Sequence, residues 1–120
     1  METLYAYLAG AIDIDGRISI SRAGGYRRDG KMTYYSTVVT LSDSDPVAVG
    51  ERAREPLIRL LPYFRIKRRQ AELALSLITL MQSDKAGSAR PLSEEQQQAR
   101  RLLYEQVRSL NASRPQQTYR

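Results

Sequence analysis

A chain of 120 residues has the length of one domain and can bury a modest core, which a partner copy would extend. Its net charge of +6 points to a polyanionic partner. Cysteine and histidine are both absent, which excludes a disulfide framework, thiolate metal sites, a His base, Ser–His or Cys–His pairs, and the usual zinc chemistry. No apolar run approaches ~18 residues and the first residues lack a signal-peptide layout, so a soluble, intracellular chain with no membrane partner is expected. We expect a single domain over residues 1–111 and a basic flexible tail over 112–120, with no internal repeat.

Thr3 is placed to N-cap a helix over about residues 4–12. Leu4, Leu8, Ala11 and Ile12 recur at helical spacing and predict a stripe facing the core. Ala6, Gly10 and Asp13 fall near one another on another face, where small residues let a second helix approach. A glycine inside a helix costs roughly 1 kcal/mol against alanine, so Gly10 speaks for close packing. The helix ends in Asp13-Ile14-Asp15-Gly16, and Gly16 suits a left-handed cap. Two carboxylates thus lie at the negative end of a helix macrodipole. Either they cap and solvate a turn, or a hard divalent cation on carboxylate and carbonyl oxygen relieves the charge.

From Arg17 the period changes to two. Arg17, Ser19 and Ser21 alternate with Ile18 and Ile20 as in a half-buried strand. Residues 23–31 read as a glycine-rich basic loop. A second strand over about residues 32–42 puts Tyr35, Thr37 and Val39 on one face and Tyr34, Ser36, Val38 and Thr40 on the other. The two strands should pair as an antiparallel hairpin packed on helices. The open face then carries Arg17, Ser19, Ser21, Tyr34, Ser36 and Thr40, with Arg22, Arg27, Arg28 and Lys31 around the loop. Such a ribbon can lie in a DNA major groove, and it reads as well as an ordinary solvated face. Tyr26 and Tyr34 could instead stack on single-stranded bases.

Asp45-Pro46 predicts a helix over about residues 46–54, interrupted by Pro56 and followed by a short helix over 56–61. Arg65, Lys67, Arg68 and Arg69 form a cationic cluster leading into a long helix over about residues 68–82. Ala71, Ala74, Leu75, Ile78 and Met81 give that helix a core stripe. Ser93 and Gln96 form a capping box for a last helix to about residue 110, with Ala99, Leu102, Leu103, Val107 and Leu110 as its buried stripe and Asn111 as its stop. Arg114 in the tail is placed to touch phosphate.

Tyr7-Leu8-Ala9-Gly10-Ala11-Ile12-Asp13-Ile14-Asp15-Gly16 resembles the signature of the LAGLIDADG homing endonucleases, with Ala11 and Ile14 as departures. Leu61-Pro62-Tyr63-Phe64-Arg65-Ile66-Lys67-Arg68-Arg69-Gln70-Ala71-Glu72-Leu73 resembles the segment that carries the basic active-site residue in single-motif members, and Lys67 matches that lysine. The resemblance covers about residues 4–42 and 57–114. It implies a homodimer formed by packing the two motif helices, here through Ala6, Gly10 and Asp13, and a pseudo-palindromic double-stranded DNA target. It implies Asp15 and the Ile14 backbone carbonyl as ligands of magnesium or manganese, with no other small-molecule cofactor. Asp15 and Lys67 then catalyse phosphodiester hydrolysis, Lys67 by stabilising developing negative charge or ordering water. Arg65 and Arg68 join the DNA contacts.

Two departures from the family matter. Between Ser42 and Leu57 there is room only for a helix, so the second hairpin of the family's half-sheet is missing and the fold is a reduced α+β version. Leu41 stands where many nuclease members place a glutamine that helps order water, although Asp43 lies nearby. The expected function is a metal-dependent endonuclease. The alternatives are a DNA-binding protein that does not cut, or an RNA-binding maturase of the same descent.

Overall fold

The computed structural model describes residues 2–27, 30–41, 46–87 and 92–112, and only the backbone at 25–27, 30–32 and 85–87. The chain runs α1 (Glu2–Asp15), β1 (Arg17–Arg27), β2 (Gly30–Thr40), β3 (Pro46–Val49), a 3-10 turn (Gly50–Ala53), α2 (Arg54–Leu60), a second 3-10 turn (Leu61–Tyr63), α3 (Arg68–Gly87) and α4 (Glu94–Ala112). The class is α+β, with an antiparallel sheet ordered β1-β2-β3. Among the described residues no helix is long and apolar enough to cross a membrane.

The alternation in residues 17–21 and 34–40 sets the faces of the sheet. Ile18 pairs with Val39 and Ile20 with Thr37, and all four side chains are buried. Arg17 opposite Thr40, Ser19 opposite Val38 and Ser21 opposite Ser36 occupy the other face. The hairpin is longer than expected. Residues 23–27 and 30–31 continue the ladder, with Gly24 opposite Thr33 and Gly25 opposite Met32, where the composition had suggested a loop.

The helix expected over residues 46–54 is replaced by β3. Val47 and Val49 are β-branched and suit a pleated strand better than a helix. Pro46 occupies the first strand position, where a missing N–H is tolerated. Gly50, at φ +65°, then turns the chain out of the sheet in a conformation that side chains disfavour. Pro56 does not interrupt α2. It lies in the first turn, where backbone N–H groups have no helical acceptor anyway. The sheet therefore gains one short strand in place of the second hairpin.

Two apolar clusters lie beneath the sheet. One joins Ala9 and Ile12 of α1 to Ile18, Val39, Ala53, Leu57, Leu60, Phe64, Ala71, Ala74 and Ile78. The other joins Ile20 and Tyr35 to Leu73 and Leu77 of α3 and Val107 of α4. Burying each large aliphatic contributes about 1.5–3 kcal/mol, so this burial, rather than local propensity, decides the helix rotations.

Two stripes each give up one expected member to solvent. In α1, Leu4 is 49% exposed while Ala9 and Ile12 are buried, so Leu4 belongs to the outward face. Helix α1 also starts before Thr3, which therefore does not cap it. In α4, Leu102 is 56% exposed and Arg100 is buried instead. Arg100 Nη2 donates to Asp84 Oδ2 at 3.0 Å, and Gln96 Nε2 donates to Asp84 Oδ1 at 3.0 Å. Asn111 does not stop the helix. Its Nδ2 donates to the Ile18 carbonyl at 3.1 Å, and its Oδ1 accepts from Gln70 Nε2 at 3.2 Å. These polar ties at Arg100 and Asn111 fix the rotation that leaves Leu102 outside. The capping box is as expected: Ser93 N–H donates to Gln96 Oε1 at 2.7 Å, and Gln96 N–H donates to Ser93 Oγ at 3.1 Å.

Candidate nucleic-acid interface

The C-terminal end of α1 is anchored by its first aspartate. Asp13 falls four residues after buried Ala9, on the same helical face, and is 4% exposed. Its Oδ2 accepts the Arg65 N–H at 2.8 Å and its Oδ1 accepts the Lys67 N–H at 2.9 Å. Lys67, 1% exposed, sends its ammonium under the helix end, where Nζ donates to the Asp13 carbonyl. A cation there offsets both the macrodipole and the buried carboxylate. Asp13 is thus a clamp within the chain, which corrects its placement on an intermolecular face. Lys67, expected to stabilise charge or order water, places its amine on the Asp13 carbonyl in this chain.

The clamp leaves Ile14, at 67% exposure, and Asp15 projecting outward at the helix end. Gly16 follows without a positive φ, which corrects the left-handed cap. Its N–H donates to the Ile12 carbonyl at 3.0 Å. Glycine is needed there because a Cβ would collide with the Thr40 carbonyl oxygen and with Ile12 Cα at 2.9 Å. That close approach seats the end of α1 against the last residue of β2.

The outer face of α1 is apolar and open. Leu4, Tyr7 and Ile14 are exposed at 49%, 71% and 67%, and Ala6 is exposed beside them. A Cβ added at Gly10 would meet nothing within 4 Å, so no contact among the described residues requires glycine there. Opposite, Tyr5 packs toward Tyr63 with ring centroids 6.4 Å apart, and its hydroxyl accepts from Arg59 Nη1 at 3.2 Å. That hydrogen bond first, then the charges of Tyr5 and Glu55, hold the Arg59 guanidinium above its ordinary pKa.

On the sheet, Arg17, Ser21 and Tyr34 are exposed and Ser19, Ser36 and Thr40 half-buried, all on the open face. Ser21 Oγ donates to the Ser36 carbonyl at 3.4 Å. Arg22 is corrected: it has the parity of Ile18 and Ile20, pairs with Tyr35, and lies 4.6 Å over the Tyr104 ring of α4. It therefore belongs to the helix side of the sheet. Arg27 and Lys31 lie at the ends of the paired strands; Arg28, Asp43 and Arg114 lie outside the described residues. Arg65 and Arg68 are exposed beside the clamp. Arg68 and Arg69 share Glu72 at 3.4 and 3.5 Å, solvent-exposed pairs weak enough to exchange for phosphate.

Among the described residues no group of three or more His, Cys, Asp or Glu side chains could hold a metal ion. One chain offers Asp15 and the adjacent Ile14 carbonyl, hard oxygen donors fit for magnesium or manganese but incomplete alone. Leu41 is half-buried against the core and cannot order water.

Comparison of the sequence with protein-family models and with curated proteins finds no match. Among solved structures, the chain is similar to the homing endonuclease I-CvuI in complex with its target (Sro1.3) in the presence of 2 mM Ca, at TM-score 0.66 and 22% identity, covering 98% of this chain and 87% of that one. It is similar to the same enzyme with an I-CreI target (C1221) in 2 mM Mg, a structure described as revealing uncleaved DNA, at TM-score 0.65, 22% identity and the same coverage, 98% and 87%. The likeness establishes the fold, a homing-endonuclease architecture with a reduced sheet.

Proposed function

We propose that this chain is a divalent-metal-dependent endonuclease for double-stranded DNA that works as a homodimer packed through α1. The observation that carries this reading is the exposed Asp15 held at the end of a helix whose outer face is apolar and open. An exposed stripe of Leu4, Tyr7 and Ile14 with Ala6 and Gly10 is what a helix–helix interface needs. Two-fold packing of such helices brings their Asp15 carboxylates together, supplying the second acid that one chain lacks. The similar solved structures are DNA complexes, which supports DNA as the substrate.

In this reading Asp15 and the Ile14 carbonyl would hold magnesium or manganese. The chemistry such an ion supplies when bound is an activated water and a polarised phosphoryl oxygen. Asp13 and Lys67 fix the helix end that presents these ligands, and the buried ammonium adds positive potential behind them. Lys67 is then a positioning residue. Arg17, Ser19, Ser21, Tyr34, Ser36 and Thr40 lie against the groove, and Arg27, Arg28, Lys31, Arg65, Arg68 and Arg114 meet the backbone.

The test is Asp15→Asn. Cleavage of supercoiled DNA should stop while DNA affinity stays within about threefold, because one neutralised exposed acid changes little else. Retained cleavage would remove Asp15 from the chemistry. Half-buried Leu41 favours the second reading, a DNA-binding protein that does not cut; it predicts that wild type and Asp15→Asn bind alike and that neither cleaves.

A further inference from the structure

The open sheet face is not uniformly polar. Ser19 on β1 stands opposite Val38 on β2, and Val38 stands opposite Val49 on β3. In the next row Arg17 faces Thr40, which faces Pro46 across a β-bulge that leaves Val47 unpaired. Val47 and Val49 are 58% and 45% exposed, while Ala48 between them turns to the core. The face therefore grades from hydroxyl and guanidinium groups on β1 to bare aliphatic groups on β3. A single exposed valine is ordinary. Two on one short strand, beside half-buried Val38 of β2, ask for a surface to cover them.

Charge and shape identify the cover. The strip adjoins Arg17 on the same face of a chain with net charge +6. Valine's side chain neither donates nor accepts a hydrogen bond and is restricted at χ1 by its β-branch, so it reads shape and apolarity with little entropy to lose. In the major groove the apolar group that distinguishes one base pair from another is the thymine C5-methyl. We propose that Val38, Val47 and Val49 read thymine methyl groups, so that the half-site under the β2–β3 side of the sheet is rich in A·T pairs. This rests on the double-stranded DNA reading and adds the sequence class that the face selects.

The experiment uses the full chain and duplexes selected by binding from a randomised pool. The tightest duplex is resynthesised with each dT replaced in turn by dU, which removes the methyl and leaves every hydrogen-bonding edge. The wild type should lose about fourfold in affinity at two or three dT positions clustered in each half-site. Val49→Ala, an exposed truncation that leaves the fold intact, should lose that sensitivity at one position and bind the dU duplex there as the wild type does. A selected duplex with no dU position that matters overturns this proposal alone. Unchanged dT-over-dU discrimination in Val38→Ala, Val47→Ala and Val49→Ala does the same. Self-association that Val49→Asp abolishes would give the strip to a second copy and also overturn it. Recovery of no duplex from the pool overturns the DNA reading itself, and this proposal with it.

Discussion

The two aspartates of Asp13-Ile14-Asp15 do opposite work, though they are two residues apart. Asp13 accepts two backbone N–H groups in a buried turn, and Asp15 is exposed. Asp13→Asn keeps one acceptor oxygen and turns an amide donor toward a backbone donor. It should lower stability by about 2 kcal/mol, whereas Asp15→Asn should stay within about 0.5 kcal/mol. Thermal melts of the two variants check this, and equal melting points would dissolve the distinction. The buried Arg100–Asp84 pair, each side chain 9% exposed, gives a second case. Asp84→Ala strands a guanidinium and should cost about 3–5 kcal/mol by urea denaturation, with much of the loss recovered on adding Arg100→Met. The inward placements of Asp13 and Arg22 had readable signals: Asp13 shares a face with Ala9, and Arg22 shares the parity of Ile20. Asp84 gave no signal, because its partner lies across a helix connection that local patterns do not reach.

Among the elements, α1 and the β1–β2 hairpin were the most legible. Their periods of 3.6 and 2 are carried by burial that the structure repeats at Ile12, Ile18, Ile20, Tyr35 and Val39. The segment 46–53 was not legible. Asp45-Pro46 is a strong helix start by itself, yet Val47 and Val49 pair with β2 once that strand is present. A four-residue strand depends on its neighbour, so sequence alone favours the local signal. The outward turn of Leu102 on α4 was missed for the same reason, since Asn111 is fixed by an acceptor on β1. The open face of α1 makes its own prediction. Gly10→Leu should raise the dimer dissociation constant by about ten- to a hundredfold, by overpacking a helix contact. Sedimentation velocity showing an unchanged dimer would remove α1 from the interface.

The molecule as a whole presents an open sheet face, a basic turn and an exposed acid on a chain with net charge +6. A smaller sheet reads fewer base edges, so phosphate contacts should carry more of the affinity, and binding should weaken steeply with salt. Replacing Arg17 and Arg65 with alanine should reduce the slope of log affinity against log salt by about two per chain if each neutralises one phosphate. An unchanged slope would take these residues off the DNA. The resemblance of residues 7–16 pointed to the fold from sequence, and the structural likeness at TM-score 0.66 bears the fold out. The same resemblance did not reveal the inward turn of Asp13 and Lys67, because a motif names residue types and not the side on which each one lies.

The most direct measurement incubates the purified chain with supercoiled and randomised-site DNA, with and without magnesium or manganese, and sequences the ends. The account predicts defined, metal-dependent ends on both strands, related by a two-fold axis. Intact DNA carrying a clear mobility shift would contradict it, leaving a protein that grips the duplex without cutting it.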